Sequence, residues 1–203
     1  MVDGVVEEQP QFMVTEQKIE LHPDASLAPP EPVTMLLHQP ASTIPELYPL
    51  RAETRVANDP SGIRLLKQHF LRLEQHLPLE ANASGMVIYT QDWRVARKLT
   101  EDAALLEQEY IVEVSGDLSD EGLKRLNHRL TYNGRDLSPC KVSWQNETRL
   151  RFAIKGIRPG QIAHMCHTAG LQILTQKRIR IGRVSMGKLP QGQWGYLMAQ
   201  EKF

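Results

Sequence analysis

The sequence lacks the features that mark secreted and membrane-spanning proteins. Among its 203 residues there are two cysteines, Cys140 and Cys166, too few for a disulfide framework. No run of about 18 apolar residues occurs, so no transmembrane helix is expected. The start, Met1 to Gly4, has no basic region followed by an apolar stretch, so no secretory signal is expected either. These absences predict a protein of the reducing cytoplasm. Internal repeats and low-complexity tracts are also absent.

The net charge is zero, but the charges are unevenly distributed. Residues 1–60 hold ten acidic side chains against three basic ones, whereas residues 151–203 hold nine basic side chains against one acidic. A basic segment of this kind can bind a polyanion through phosphate contacts. The alternative is a solvated basic face, which charge patterning alone leaves open. If the segment binds such a polyanion, we expect it to form the positive wall of the binding cleft.

The order of predicted elements indicates an α+β fold. Apolar, β-branched stretches predict strands, among them Val33–His38, Gly85–Thr90 and Tyr110–Val114. Leu65, Leu66, Phe70 and Leu73 recur at helical spacing and predict a helix within Ile63–Leu77. Further helices are predicted after Asp92, after Ser119 and over Gln161–Ala169, and short strands over Ile173–Leu174 and Ile179–Ile181. No long series of strands alternating with helices appears, which argues against a parallel sheet.

Two motifs in the middle of the chain occur in the order found in a known family. The stretch Leu77–Gly85, followed by the apolar segment Met86–Asp92, corresponds to a Gly-Arg-Leu-Asp-x-x-Thr/Ser-x-Gly loop and its strand. The stretch Gln108–Val112 corresponds to Lys-x-Tyr-Leu-Val. Upstream, Leu36–Pro40 is similar to a Leu-Asn-Lys-Pro segment.

The later motifs follow in the same order. Gly156–Met165 and Gly170 correspond to a Gly-x-x-x-Gln-Ile-Arg-Arg-Met segment and the glycine after it. Arg178–Gly182 and Leu189–Leu197 match the final motifs. Each motif alone is weak, but their order and spacing are specific. From about Val33 to Leu197, the chain therefore resembles RNA pseudouridine synthases of the RsuA/RluF type.

The resemblance implies a pseudouridine-synthase-like α+β domain over residues 33–203, built on a large, mostly antiparallel sheet with a central cleft. Residues 1–32 contain an Asp3-Gly4 turn and a stretch with four prolines between Pro23 and Pro32. We interpret them as the remnant of an N-terminal RNA-binding domain followed by a proline-rich linker. The implied partner is structured RNA, most often ribosomal RNA. We expect a monomer with no membrane attachment, no cofactor and no metal.

The family reaction isomerises uridine to pseudouridine and needs an Asp that acts on a flipped-out nucleotide. In the family, a Tyr lines the pocket, and a basic side chain from the Gln-Ile-Arg segment orients the Asp. Here the Asp position is Glu80, the Arg before it is Pro78, and the basic position is Ala163, whereas Tyr110 is retained. The alternative is that Arg158, or a neighbouring residue such as His164, substitutes for the missing basic side chain. Glutamate is one methylene longer, which displaces the carboxylate by roughly 1.5 Å.

Two functions therefore remain open: an isomerase that uses Glu80 and Tyr110, and a catalytically inactive protein that binds RNA or a ribosome-assembly partner. On these residues alone we expect little or no pseudouridine formation. The resemblance assigns substrate binding to six further residues: Leu79, Gln161, Ile162, Ala163, Arg178 and Arg180. His164, Cys166 and His167 lie close in sequence, but their helical spacing does not converge on one metal ion.

Overall fold

A computed structural model of the chain describes residues 1–7, 9, 11–24, 30–41, 50–128 and 130–203. By its internal contacts the chain divides into two compact units, Met1–Glu31 and Pro32–Phe203. Within the described residues, no helix is long and apolar enough to span a bilayer.

The first unit is held by short backbone bridges. Val2 pairs with Val5 across the Asp3-Gly4 turn, and Val2 also pairs with Ile19. The Asp3 carboxylate accepts a hydrogen bond from the Lys18 backbone N–H at 2.8 Å. The predicted turn is present, and the origin of this unit as a remnant RNA-binding domain stays a prediction.

The second unit contains many strands and few helices. Its described strands, in chain order, are β1 (Thr34–Gln39), β2 (Glu74–His76), β3 (Ala83–Thr90), β4 (Glu107–Ser115), β5 (Thr131–Tyr132), β6 (Arg135–Asp136), β7 (Lys141–Trp144), β8 (Arg149–Lys155), β9 (Gln172–Ile181), β10 (Val184–Ser185) and β11 (Trp194–Tyr196). Its described α-helices are α1 (Trp93–Glu101), α2 (Asp120–Asn127) and α3 (Gln161–Thr168). Two short 3₁₀ turns cover Ala52–Thr54 and Lys67–Phe70.

Nine of these strands form one sheet in the order β11-β1-β3-β9-β4-β8-β7, with β2 beside β3 and β10 beside β9. The β3–β9 pair is parallel, and the other pairs are antiparallel. The predicted α+β fold with a large, mostly antiparallel sheet is therefore confirmed. The central strands β9 and β4 slip in register at Glu109/Tyr110 and again at Glu113/Val114. Irregularities of this kind bend a strand and redirect its side chains.

The helices begin where the sequence predicts. The Asp92 side chain accepts from the Arg94 backbone N–H at the start of α1, and Ser119 accepts from Gly122 at the start of α2. Helix α3 instead starts after Gly160, whose φ of +75° lies in the left-handed region that favours glycine.

Three hydrophobic clusters stabilise the unit. One contains Tyr110, Phe152 and Leu150 of the sheet and Ile162, Met165 and Cys166 of α3. A second packs α1 against β3 and β9, and a third packs Trp194 and Tyr196 against β1. The cavity discussed below borders the first cluster, so α3 and β4 together position its walls.

The predicted helix within Ile63–Leu77 is wrong. This segment contains a single 3₁₀ turn followed by β2, and Arg72 and Leu77 have φ values of +54° and +49°. Its apolar residues instead pack as an irregular segment on the Trp194 cluster, where Ile63, Leu65, Phe70 and Leu73 are partly buried. Helical spacing of apolar residues therefore reflected burial against the sheet rather than helix formation.

Candidate active site

A small cleft opens where the loop before β3, strands β4 and β9, and the turn before α3 meet. Its volume is about 190 Å³, and its lining includes five polar or charged side chains that matter below: Glu80, Gln108, Tyr110, Arg158 and Arg178. This volume is below the roughly 300–1,000 Å³ typical of sites for drug-sized ligands. The cleft is therefore suited to a single ring inserted from a larger molecule.

Glu80 reaches the cleft from a tight loop. Its backbone carbonyl accepts from the Ala83 N–H at 2.9 Å, which closes the loop at the start of β3. Its carboxylate Oε1 accepts from the Gly160 backbone N–H at 3.0 Å. Because Gly160 immediately precedes α3, the carboxylate lies at the positive end of that helix, which stabilises a negative charge. The additional methylene of glutamate is therefore accommodated by a specific backbone contact.

The turn that presents Gly160 is fixed by two side chains. Gln161 Oε1 accepts from the Arg158 N–H at 3.1 Å, and the Tyr132 hydroxyl donates to the Pro159 carbonyl at 2.7 Å. The Arg158 guanidinium is half-buried at the cleft and has no hydrogen-bond or ion-pair partner among the described residues. It is therefore available to an anionic ligand.

Tyr110 and Arg178 form the inner part of the cleft, and Gln108 joins them. Gln108 Oε1 accepts from the Tyr110 hydroxyl at 2.9 Å and from Arg178 Nη1 at 3.1 Å. Burial raises the pKa of Tyr110, while the positive charge of Arg178 acts in the opposite direction. The phenol is therefore protonated at neutral pH and donates to Gln108.

Arg178 is almost fully buried, with 2% of its surface exposed. Its Nε donates to the Met86 carbonyl at 2.9 Å, and Nη2 donates to the same carbonyl at 2.7 Å and to the Leu77 carbonyl. Burial lowers the pKa of Arg178, but a guanidinium with these acceptors stays charged. These bonds hold the loop that carries Glu80, and the predicted phosphate contact of Arg178 stays a prediction.

The cleft brings together Glu80, Tyr110 and Arg178, but not the remaining predicted substrate-binding residues. Leu79 is half-buried outside the cleft lining, and Ile162 is fully buried in the first hydrophobic cluster. Gln161 contacts the cleft turn rather than the cavity, and Ala163 is exposed on α3. Gln161, Ile162 and Ala163 are therefore not among the residues that line this cavity, and their contact with substrate stays a prediction.

Two arginines of the segment that was expected to form a positive wall, Arg151 and Arg180, are engaged in ion pairs within the sheet. Arg180 Nη2 pairs with Glu107 and, at 2.7 Å, with Glu109, and Arg151 pairs with Glu109 as well. The hydrogen bond from Arg180, together with that from Arg151, holds the pKa of Glu109 below its usual range, so this network is charged and internally balanced. Arg180 is therefore a sheet residue rather than a free phosphate ligand.

The sequence analysis missed Gln108, which lines the cleft, and Gly160, whose backbone N–H binds Glu80. Gln108 could have been found, because it lies two residues before Tyr110 on one strand and alternate positions share a face. Gly160 carries no such signal, since its place depends on how the turn before α3 folds. Arg158, the alternative cation, lines the cleft.

No protein-family model matches the chain. Individual relatives do. The chain is 24% identical over 204 residues to an uncharacterised RNA pseudouridine synthase of Aquifex aeolicus, covering 98% of this chain and 82% of the relative. It is 26% identical to ribosomal large subunit pseudouridine synthase B of Yersinia pestis, covering 72% of this chain and 49% of that protein. For this second relative, the chain thus matches about half of its length.

The fold is also found among solved structures. A crystal structure of a pseudouridylate synthase superimposes with a TM-score of 0.67, covering 98% of this chain and 84% of the other. The two are 15% identical in sequence, so this match bears on the fold and not on the reaction.

Proposed function

Since the chain belongs to the RNA pseudouridine synthase family, of the RsuA/RluB/RluF type, we propose that it binds RNA and isomerises uridine to pseudouridine with Glu80 as its catalytic carboxylate. The observation that carries the proposal is that the Glu80 carboxylate is held at the N-terminus of α3, in one cleft with Tyr110, Arg158 and Arg178. By analogy with the ribosomal enzymes among its relatives, we propose ribosomal RNA as the substrate.

The reaction rearranges a single nucleotide without a net gain or loss of atoms. The N1–C1′ bond of uridine breaks, the ring turns, and C5 forms the new bond to C1′. A proton leaves C5 and N1 gains one, so the product is an isomer. A carboxylate next to the ribose stabilises the positive charge that develops at C1′ as the first bond breaks.

The cleft supplies the other parts that this reaction needs. The cavity admits one ring, which agrees with an enzyme that flips its target base out of the RNA. Tyr110 presents an aromatic ring for the base to pack on. The Arg158 guanidinium, which has no partner among the described residues, is suited to a phosphate oxygen of the flipped nucleotide.

The proposal departs from the expectation of an inactive site, and the reason is structural. That expectation rested on Ala163 as the missing basic partner, but Ala163 lies outside the cleft, and Arg158 and Arg178 provide cations within it. Anchoring by Gly160 limits the freedom of the longer side chain, whose misplacement by about 1 Å can cost roughly a hundredfold in rate.

One observation favours the second candidate, a non-catalytic RNA-binding protein. In the part of the chain that the structure describes, no ion pair within 4.0 Å joins Glu80 to a lysine or arginine. A carboxylate that is oriented by one backbone N–H alone is less firmly held than one paired with a guanidinium.

Conversion of uridine in ribosomal RNA transcripts separates the two candidates. The protein is incubated with large-subunit transcripts, pseudouridine is mapped chemically, and RNA affinity is measured in parallel. We expect modification that Glu80→Gln abolishes and that Glu147→Gln, a change of an exposed turn glutamate, leaves intact. RNA binding without any product from the unmodified protein would favour the non-catalytic candidate.

A further inference from the structure

Gln108 has one half of its amide engaged by the protein and the other half free at the cleft. Its residue surface is 3% exposed, and it lines the cavity. Oε1 accepts two hydrogen bonds, from Tyr110 and from Arg178, whereas Nε2 donates to no other described residue.

The orientation of this amide follows from the chemistry of its neighbour. A guanidinium has five N–H donors and no acceptor, so the atom that faces Arg178 must be the amide oxygen. A flipped amide would place its N–H groups against those of Arg178 in a buried site, which is costly. Arg178 is itself fixed by the carbonyls of Leu77 and Met86. The Gln108 NH₂ group therefore stays a donor, on an amide whose oxygen binds the Tyr110 hydroxyl at the cleft.

We propose that Gln108 is a specificity-determining residue whose Nε2 donates to the C4 carbonyl oxygen of a uracil ring held against Tyr110. This inference rests on the proposed function and adds to it the reason for choosing uracil. Uracil and cytosine share the C2 carbonyl, and they differ at N3 and at C4, where uracil has an acceptor and cytosine an amino donor. A fixed donor facing C4 therefore forms a hydrogen bond with uracil and lies against the amino donor of cytosine.

The Gln108→Glu variant tests this contact with little change elsewhere. A carboxylate at this position still accepts from Tyr110 and Arg178, so the internal network is retained. It offers no donor to the base, and instead accepts from the amino group of cytosine. The matched control is Gln172→Glu, which introduces the same charge at an exposed position of β9.

The probe is a fluorescein-labelled RNA hairpin with one uridine in an adenosine loop, compared with the same hairpin carrying cytidine there. We expect the unmodified protein and the Gln172→Glu control to bind the uridine hairpin about tenfold more tightly. In Gln108→Glu, we expect this preference to disappear or reverse. An unchanged preference for uridine in Gln108→Glu would overturn the inference.

A second measurement needs no protein variant. A hairpin whose loop base is pyrimidin-2-one, which lacks the C4 oxygen, should bind the unmodified protein about as weakly as the cytidine hairpin. Tight binding of this analogue would also overturn the inference.

Pseudouridine formation in the same samples distinguishes this inference from the proposed function. Product formation without any preference of the unmodified protein for uridine would contradict the role of Gln108 and leave the catalytic proposal intact. A preference lost in Gln108→Glu without product from any sample would support the contact and contradict the catalytic proposal.

Discussion

Replacing Arg178 by methionine tests whether this residue is structural or an RNA ligand. The change removes the cation and leaves the carbonyls of Leu77 and Met86 without this donor, whereas the Gln108 amide oxygen keeps the Tyr110 hydroxyl. A buried acceptor left unsatisfied costs about 1–3 kcal/mol, and partial relaxation makes the costs of neighbouring acceptors less than additive. We therefore expect Arg178→Met to lower the free energy of unfolding by about 3–5 kcal/mol, a large share of the roughly 5–15 kcal/mol of a typical domain.

The assay is urea denaturation followed by circular dichroism, with the midpoint and slope fitted for each variant. The control is Arg183→Met, because Arg183 is exposed and makes no described side-chain contact. Its effect should stay within about 0.5 kcal/mol. If Arg178→Met unfolded within about 1 kcal/mol of the unmodified protein and only RNA affinity fell, the structural role of Arg178 would be refuted.

Two further perturbations test other parts of the fold. At Gly85, with φ of +115°, a Cβ would lie 2.2 Å from the Arg178 carbonyl oxygen, so Gly85→Ala should destabilise the protein by more than about 3 kcal/mol or prevent its folding. The control is Gly134→Ala, also at positive φ but in open space, which should cost about 1 kcal/mol. Equal effects of the two changes in thermal denaturation would contradict the close approach at Gly85. Burial lowers the pKa values of His38 and His69, so their contributions to stability are present above pH 6.5 and are lost as pH falls below it toward the folded-state pKa values. The unfolding free energy should fall by up to about 1.4 kcal/mol per pH unit for each histidine, and His69→Gln should reduce the slope; a slope unchanged by that variant would contradict the assignment.

The sequence predicted the sheet and most helix starts because these features depend on local pattern. In strands β1, β3 and β4, apolar residues alternate with polar ones or form a continuous stretch. Asp92 and Ser119 cap the N-termini of their helices through hydrogen bonds to residues close in sequence. The two predicted strands at Ile173 and Ile179 are one strand, since paired central strands tolerate the polar residues between them.

The cleft could be predicted only in part, because its contacts join distant segments. Glu80 and Tyr110 followed from their motif positions. The burial of Arg178 did not, since its acceptors at Leu77 and Met86 lie 101 and 92 residues away in the chain. The contact of Glu80 with Gly160 spans 80 residues, and no local pattern near either residue indicates it.

Tritium release from RNA containing uridine labelled at C5 is the most direct test of the central claim that the Glu80 cleft isomerises uridine. Forming the C5–C1′ bond must expel the C5 hydrogen, so each turnover releases one tritium into water. We predict release from ribosomal RNA with the unmodified protein and with Glu147→Gln, and none with Glu80→Gln. Release that persists in Glu80→Gln, or its absence from the unmodified protein bound to that RNA, would contradict the claim.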